Sequence, residues 1–134
     1  MANVQMLVAL LRELAPESYA YEWDNVGIQV GSFAQKVKKV LLTLDINNDI
    51  LKKKKNENCD MIISHHPLIF NELSSIHDQS ETGKIIMEAA KNDITLYSAH
   101  TNLDVADGGL IDYLAHLLNI KTLGPLDIKK KKEF

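Results

Sequence analysis

Four residues of this chain have the types and the spacing that metal chemistry requires. His65 and His66 closely follow one apolar run, and His100 and Asp104 follow another. Imidazole nitrogens together with a carboxylate form a ligand set suited to Zn, Mn, Fe, Co or Ni. Two such ions held ~3.5–4 Å apart can activate water and stabilise developing charge. The pattern therefore indicates a divalent-metal site.

The local chain geometry leaves more than one arrangement open for the adjacent histidines. Pro67 biases His66 toward an extended backbone, and successive side chains of an extended segment point to opposite sides. We therefore expect that His65 and His66 do not readily bind one ion from the same side. Either they serve two ions in one pocket, or one binds metal while the other packs. His100 and Asp104 are four residues apart, a spacing that shares one face of a helical turn.

Other residues with chemical potential are interpreted as structural. His77 and Glu81 repeat the four-residue spacing, but they lie in a polar loop without an apolar run to support them, and we expect them to face solvent. Trp23 is assigned to packing. Cys59 is the only cysteine and is interpreted as a small buried hydrophobe rather than a nucleophile. A single cysteine excludes an intramolecular disulfide, which suits a reducing compartment.

The elements that position the candidate residues are indicated by hydrophobic periodicity. Helices are predicted over residues 3–14, 47–58, 83–92 and 108–118, and strands over 28–31, 40–44, 61–64 and 94–98. The last three strands are continuously apolar, which predicts burial on both faces. The alternation is typical of an α/β fold with a mostly parallel or mixed sheet flanked by helices. In such folds sites lie beyond the carboxyl ends of the strands, where Asp45 and both histidine segments fall.

Composition agrees with one globular domain. Of the 134 residues 46% are hydrophobic and 25% are charged, and the formal net charge is −3. We divide the chain into an α/β metal-site domain over residues 1–124 and a tail over residues 125–134. The lysine runs Lys52–Lys55 and Lys129–Lys132 leave an acidic body, a poor electrostatic match to nucleic acid. No membrane span or secretory signal is recognisable, so the cytoplasm is the expected location.

Four segments of the chain carry a resemblance to a known family. They are Glu22–Gly31, Leu42–Asp45, Asp60–Phe70 and Tyr97–Ala106. Together they resemble the Nif-three-like family, also called GTP cyclohydrolase I type 2 homologues, and the likeness extends over nearly the whole chain up to Leu123. The His-His-Pro and His-Thr-Asn-Leu-Asp motifs are its most specific parts.

The resemblance implies a site with two divalent metal ions in an α/β fold, and ring-shaped homohexamers in several members. Carried over position by position, it implies His65, His66 and Asp104 as metal ligands. His100 lies in the same motif and is expected close to the site, as an extra ligand or as a proton carrier.

The chain departs from the family at its C-terminal end. Family members are longer, and their second half supplies a His and a Glu, four residues apart, that complete the metal site. Because this chain ends at Phe134, we expect it to be a fragment or cleavage product corresponding to the N-terminal half. His77 and Glu81 have the spacing of that pair but not its position. With few ligands to screen two cations from each other, the chain is expected to bind at most one ion tightly.

Two functions remain as hypotheses. The first is a metal-dependent hydrolase in which activated water attacks a nucleotide-like or other ring substrate, and that substrate is implied by the family name alone. The second is a metal-binding scaffold or interaction protein without turnover, because the family's other name reflects a partner interaction. Metal-dependent release of product from a panel of nucleotides would discriminate between them.

Overall fold

The structure is a computed structural model that describes residues 1–124, except for the side chains of residues 54–56. The predicted tail at 125–134 lies outside the described residues. A 3₁₀ turn at Glu17–Tyr19 follows the first helix. The regular elements, in chain order, are α1 (Val4–Leu14), β1 (Gly27–Val30), β2 (Val40–Thr43), α2 (Asn48–Glu57), β3 (Met61–Ser64), α3 (Glu81–Lys91), β4 (Thr95–Ser98), α4 (Thr101–Val105) and α5 (Leu110–Leu117).

The strands form one mixed sheet in the order β1-β4-β3-β2. β2, β3 and β4 run parallel, and β1 pairs with β4 in the antiparallel direction. Helices α2 and α3 make the connections between consecutive parallel strands, as parallel pairing requires. The prediction of an α/β fold with a mixed sheet flanked by helices is confirmed.

The sheet lies between two apolar layers. Its side chains alternate between them, as those of a strand do: Met61 and Tyr97 join Val4 and Val8 of α1, whereas Ile62 packs with residues of α2 and α3. Both sets are almost wholly buried. The central strands β3 and β4 are therefore covered on both faces, as their continuous apolar sequences predict.

Polar side chains define where the helices begin. The side chain of Asn3 accepts a hydrogen bond from Met6 N at 2.9 Å and caps α1. Asn47 accepts from Asp49 N at 3.1 Å and from Ile50 N at 3.0 Å, which starts α2 directly after the β2 segment. These caps fix the helix starts near the positions that the sequence indicates.

Two predicted elements form but leave apolar side chains exposed. The prediction that β2 is covered on both faces is wrong for the described residues, because β2 is an edge strand and Leu42 is 72% exposed. Helix α5 begins after Gly109 as predicted, yet none of its residues is buried, and Ile111, Leu114 and Leu117 are exposed. Among residues 1–124, no helix combines the length and apolar character needed to cross a bilayer.

Candidate metal centre

The candidate residues meet at the carboxyl edge of the parallel strands. The last residues of β2, β3 and β4 are in register, Thr43 with Ser64 and Ser64 with Ser98. The segments that follow therefore leave the sheet side by side. His65 and His66 follow β3, and the His100 segment follows β4 and leads into α4.

Three imidazole rings converge at this edge. The ring centroids of His65, His66 and His100 are separated by 5.1, 5.1 and 5.5 Å, and one nitrogen from each ring lies within 4.8 Å of the other two. The side chains of His65 and His100 are only 16% and 17% exposed, whereas that of His66 is 47% exposed. The cluster is thus embedded in the protein on one side and open to solvent at His66.

Each ring is held through its Nδ1 atom by an oxygen from another segment. The pairs are His65 with the Ala99 carbonyl at 2.9 Å, His66 with the Asp45 carboxylate at 2.8 Å, and His100 with the Asp24 carboxylate at 2.9 Å. Histidines that bind metal in proteins almost always secure their second nitrogen in this way. The arrangement leaves Nε2 of each ring as the nitrogen available to a cation.

Asp104 approaches the cluster from α4. Its Oδ1 lies 3.6 Å from Nε2 of His65, and its backbone N donates to the His100 carbonyl at 3.1 Å, so both residues occupy one helical turn as predicted. Two atoms that each lie ~2 Å from one ion are at most ~4 Å apart. His65 and Asp104 are therefore close enough to share an ion as they stand.

The adjacent histidines do not point to opposite sides as their sequence predicts. Their rings lie 5.1 Å apart and both join the cluster. The chain bends after β3, because Ser64 Oγ donates to the His66 carbonyl at 2.8 Å and His66 N donates to the Leu44 carbonyl at 2.9 Å. This bend brings both side chains to one pocket.

Asp24 is a site residue that the sequence reasoning missed. Its side chain is 0% exposed and accepts hydrogen bonds from His100 Nδ1 and from both the backbone N and the hydroxyl of Thr101. Burial by itself raises the pKa of Asp24, but the hydrogen bonds from Thr101 and His100 outweigh burial and hold that pKa below its usual value. No spacing signal could have paired residues that are 76 positions apart.

The remaining polar residues of the His-Thr-Asn-Leu-Asp motif anchor it to the rest of the fold. Asn102 is fully buried, donates to the Ala15 carbonyl at 2.8 Å and accepts from His100 N at 2.9 Å. The Thr101 hydroxyl accepts from Tyr21 N at 3.1 Å. Two residues of the motif thus lie at the cluster, while two others attach it to the residue that follows α1 and to the turn before β1.

Trp23 packs, as predicted, but on the surface beside the site. It stacks on Tyr21 with 5.5 Å between ring centroids, contacts Phe70 at 5.9 Å, and meets His100 edge-on at 6.3 Å. Because Trp23 is still 59% exposed, these rings form a half-open aromatic rim next to His100 rather than part of the core.

The residues interpreted as structural lie where the sequence predicts them. His77 and Glu81 are exposed and neither joins the imidazole cluster, although Glu81 lines a small cleft beside His66. Cys59 is 1% exposed and buried in the core. No thiol therefore belongs to the candidate ligand set, which consists of imidazoles and a carboxylate.

The chain is similar in sequence and in structure to proteins with related names. Residues 2–132 match the family described as Duf34/NIF3 (NGG1p interacting factor 3). The chain is 40% identical over 118 residues to a GTP cyclohydrolase 1 type 2 homolog of Bacillus subtilis, covering 88% of this chain and 32% of that protein. It is 38% identical over 127 residues to NIF3-like protein 1 of Drosophila melanogaster, covering 92% and 44%. A solved Bacillus cereus protein related to NIF3 superposes with a TM-score of 0.84 at 40% identity, covering 90% and 33%.

These relatives are much longer than this chain. The chain spans 32% of the Bacillus subtilis protein and 44% of the Drosophila protein. The family match nevertheless covers almost every residue present, and the same fold is found in the solved relative. The chain therefore belongs to the Duf34/NIF3 family.

Proposed function

We propose that this chain contributes the ligands of a divalent-metal site in a hydrolase-like protein. The observation that carries the proposal is the convergence of three imidazoles whose Nδ1 atoms are all held by oxygens. Such outer hydrogen bonds orient histidine ligands and raise their basicity. His65, His66 and Asp104 are the assigned ligands, and His100 lies within reach of the same position.

The donor set fits the proposed ion. Imidazole nitrogens with one carboxylate suit Zn, Mn, Fe, Co or Ni, whereas an all-oxygen set would favour Mg or Ca. When bound, such a cation would lower the pKa of coordinated water, to about 7 in the case of Zn²⁺, and would polarise substrate oxygens. The half-exposed His66 leaves the site open to substrate on one side.

The residues around His66 limit what the described part can bind. A cleft of about 240 Å³ adjoins His66 and is lined partly by Asp45, Pro67 and Leu68. That volume is below the ~300–1,000 Å³ of typical ligand pockets. A nucleotide-like substrate is part of the proposal because the bacterial relatives carry the name GTP cyclohydrolase 1 type 2 homolog. Full enclosure of such a substrate would need surfaces beyond those described.

A metal-binding scaffold without turnover is the second candidate. It is favoured by the apolar face of α5, where Ile111, Leu114 and Leu117 are exposed in the described part of the chain. Exposed apolar patches of this kind mark association surfaces. The same exposed apolar face of α5 supports the proposal of a homo-oligomer, and the family resemblance implies a hexamer. Analytical ultracentrifugation would test it, and a monomer at micromolar concentration would overturn it.

Calorimetric titration of the 134-residue chain with Mn²⁺ and with Zn²⁺ tests the metal site. We expect one tightly bound ion per chain, lost in His65→Ala and retained in the matched His77→Ala control. Absence of binding, or binding that His65→Ala leaves unchanged, would overturn the site. Two tight ions would instead show that the ligands present suffice for a dinuclear centre. Metal-dependent product release from a nucleotide panel then separates the hydrolase from the scaffold.

A further inference from the structure

The role of His100 is left open by the proposed function, since it could bind metal or carry a proton. Asp24 bears on this choice. It lies in the turn before β1, and its carboxylate is completely buried against the start of α4. An acidic side chain in a surface turn is ordinarily solvated, so its complete burial here calls for a specific set of partners.

Those partners are four donors that together occupy both carboxylate oxygens. Oδ1 accepts from His100 Nδ1 at 2.9 Å and from Asn25 N at 2.8 Å. Oδ2 accepts from Thr101 N at 3.1 Å and from the Thr101 hydroxyl. Two of the donors are backbone N–H groups, which cannot reverse their direction. The site is therefore built for an ionised carboxylate, which can only accept hydrogen bonds.

An acceptor at this position determines where the His100 proton sits. Because Asp24 cannot donate, Nδ1 of His100 carries hydrogen, and the neutral ring then has its lone pair on Nε2. Oxygens of Ala99 and Asp45 likewise bond to Nδ1 of His65 and of His66. One nitrogen of each ring lies within 4.8 Å of the other two, and lone pairs gathered this closely repel one another unless a cation lies between them.

We infer that Asp24 is a positioning residue that holds His100 in the Nδ1–H tautomer and makes it a metal ligand beside His65 and His66. Only the second part of this inference, that His100 is a metal ligand, rests on the proposed metal site. The tautomer follows from the hydrogen bonds themselves. A proton carrier would need a reacting group beside its free nitrogen, whereas the ring of His100 lies 5.1 and 5.5 Å from the rings of His65 and His66.

The first experiment needs no variant. Long-range ¹H–¹⁵N correlation spectra of the neutral wild-type chain report which nitrogen of His100 is protonated. We expect Nδ1–H. A predominant Nε2–H form would overturn the inference whether or not the chain binds metal.

The second experiment compares Asp24→Asn with Asp45→Asn. Each removes one carboxylate that holds a histidine, but Asp24 is 0% exposed and Asp45 is 59% exposed. Titration with Zn²⁺ should show a ~10–100-fold loss of affinity in Asp24→Asn, together with a shifted His100 tautomer and an unchanged circular dichroism spectrum. Wild-type affinity and an unchanged tautomer in a folded Asp24→Asn would overturn the positioning role.

The outcomes separate the inference from the proposed function. If the wild-type chain binds no metal, the proposed site fails, and the His100 tautomer alone decides the role of Asp24. If the wild type binds metal and Asp24→Asn binds it equally well, the site stands and the inference fails. If Asp24→Asn does not fold, Thr101→Val removes one donor to the same carboxylate, and we expect a smaller loss of Zn²⁺ affinity. An unchanged affinity in Thr101→Val would count against the inference.

Discussion

His100–Asp104 and His77–Glu81 have the same four-residue spacing, but only in the first pair does the histidine join the imidazole cluster, with Asp104 3.6 Å from His65 Nε2. The side chains of His100 and Asp104 are 17% and 28% exposed. His77 and Glu81 are both exposed. The same local pattern therefore leads to two different environments, and the difference lies in what each pair contacts.

The contacts of the two histidines differ in range. Nδ1 of His77 accepts from Gln79 N at 3.2 Å, only two residues along the chain. Nδ1 of His100 bonds to Asp24 across 76 positions, and its ring meets two other imidazoles. A ligand site needs side chains fixed by independent segments, because preorganisation offsets the cost of ordering them. The four-residue spacing places two potential ligands near each other, but it does not provide the long-range contacts that fix their side chains.

The largest expected effect comes from removing a direct ligand. His65→Ala and Asp104→Ala should each lower metal affinity by more than the ~100-fold that loss of an outer partner costs at most. Elemental analysis and calorimetry measure this. The fold should persist, since both residues lie outside the apolar clusters. Unchanged stoichiometry in both variants would refute the ligand assignment, and loss of folding would favour a structural role.

A second test concerns the support of the His100–Asp104 pair. Asn102→Ala removes the partners of the His100 N–H and of the Ala15 carbonyl. Each unsatisfied buried group costs ~1–3 kcal/mol, so the free energy of unfolding should fall by a few kcal/mol in all. Urea denaturation of this variant is compared with that of Gln79→Ala, the matched change beside His77. Equal unfolding midpoints for the two variants would show that Asn102 contributes no more to the free energy of unfolding than Gln79 does.

A smaller effect is expected at the exposed carboxylate of the site. The Asp45 side chain is 59% exposed and bonds to the half-exposed His66. Solvent screens such pairs strongly. Asp45→Asn should therefore reduce metal affinity less than ~10-fold, at the lower limit for outer partners. A loss as large as that of Asp24→Asn would indicate that burial does not decide the strength of these supports.

The smallest effect is expected at His77, which does not join the imidazole cluster. His77→Ala should leave metal affinity unchanged and alter the free energy of unfolding by less than ~0.5 kcal/mol, because exposed loop positions contribute little. Calorimetry and denaturation on the same sample measure both. A clear loss of metal binding would mean that the polar loop reaches the site in solution, and the comparison between the two pairs would then no longer hold.

Sequence patterns predicted most of the fold and part of the candidate site. Continuous apolar runs identified β3 and β4, whose burial on both faces the structure confirms. The same reasoning failed for β2, because an apolar run does not reveal whether a neighbour covers it, and β2 lies at the sheet edge with Leu42 exposed. Burial is a property of the assembled layers, not of the run itself.

The sequence alone determined the elements, their order and the placement of His65, His66, His100 and Asp104 at strand ends, since these depend on short-range periodicity and on the topology of parallel sheets. Only the tertiary structure decided that the chain bends after Ser64 to bring both adjacent histidines to one side. It also decided that Asp24 meets His100. Contacts between distant segments arise from packing, and no local pattern encodes their geometry.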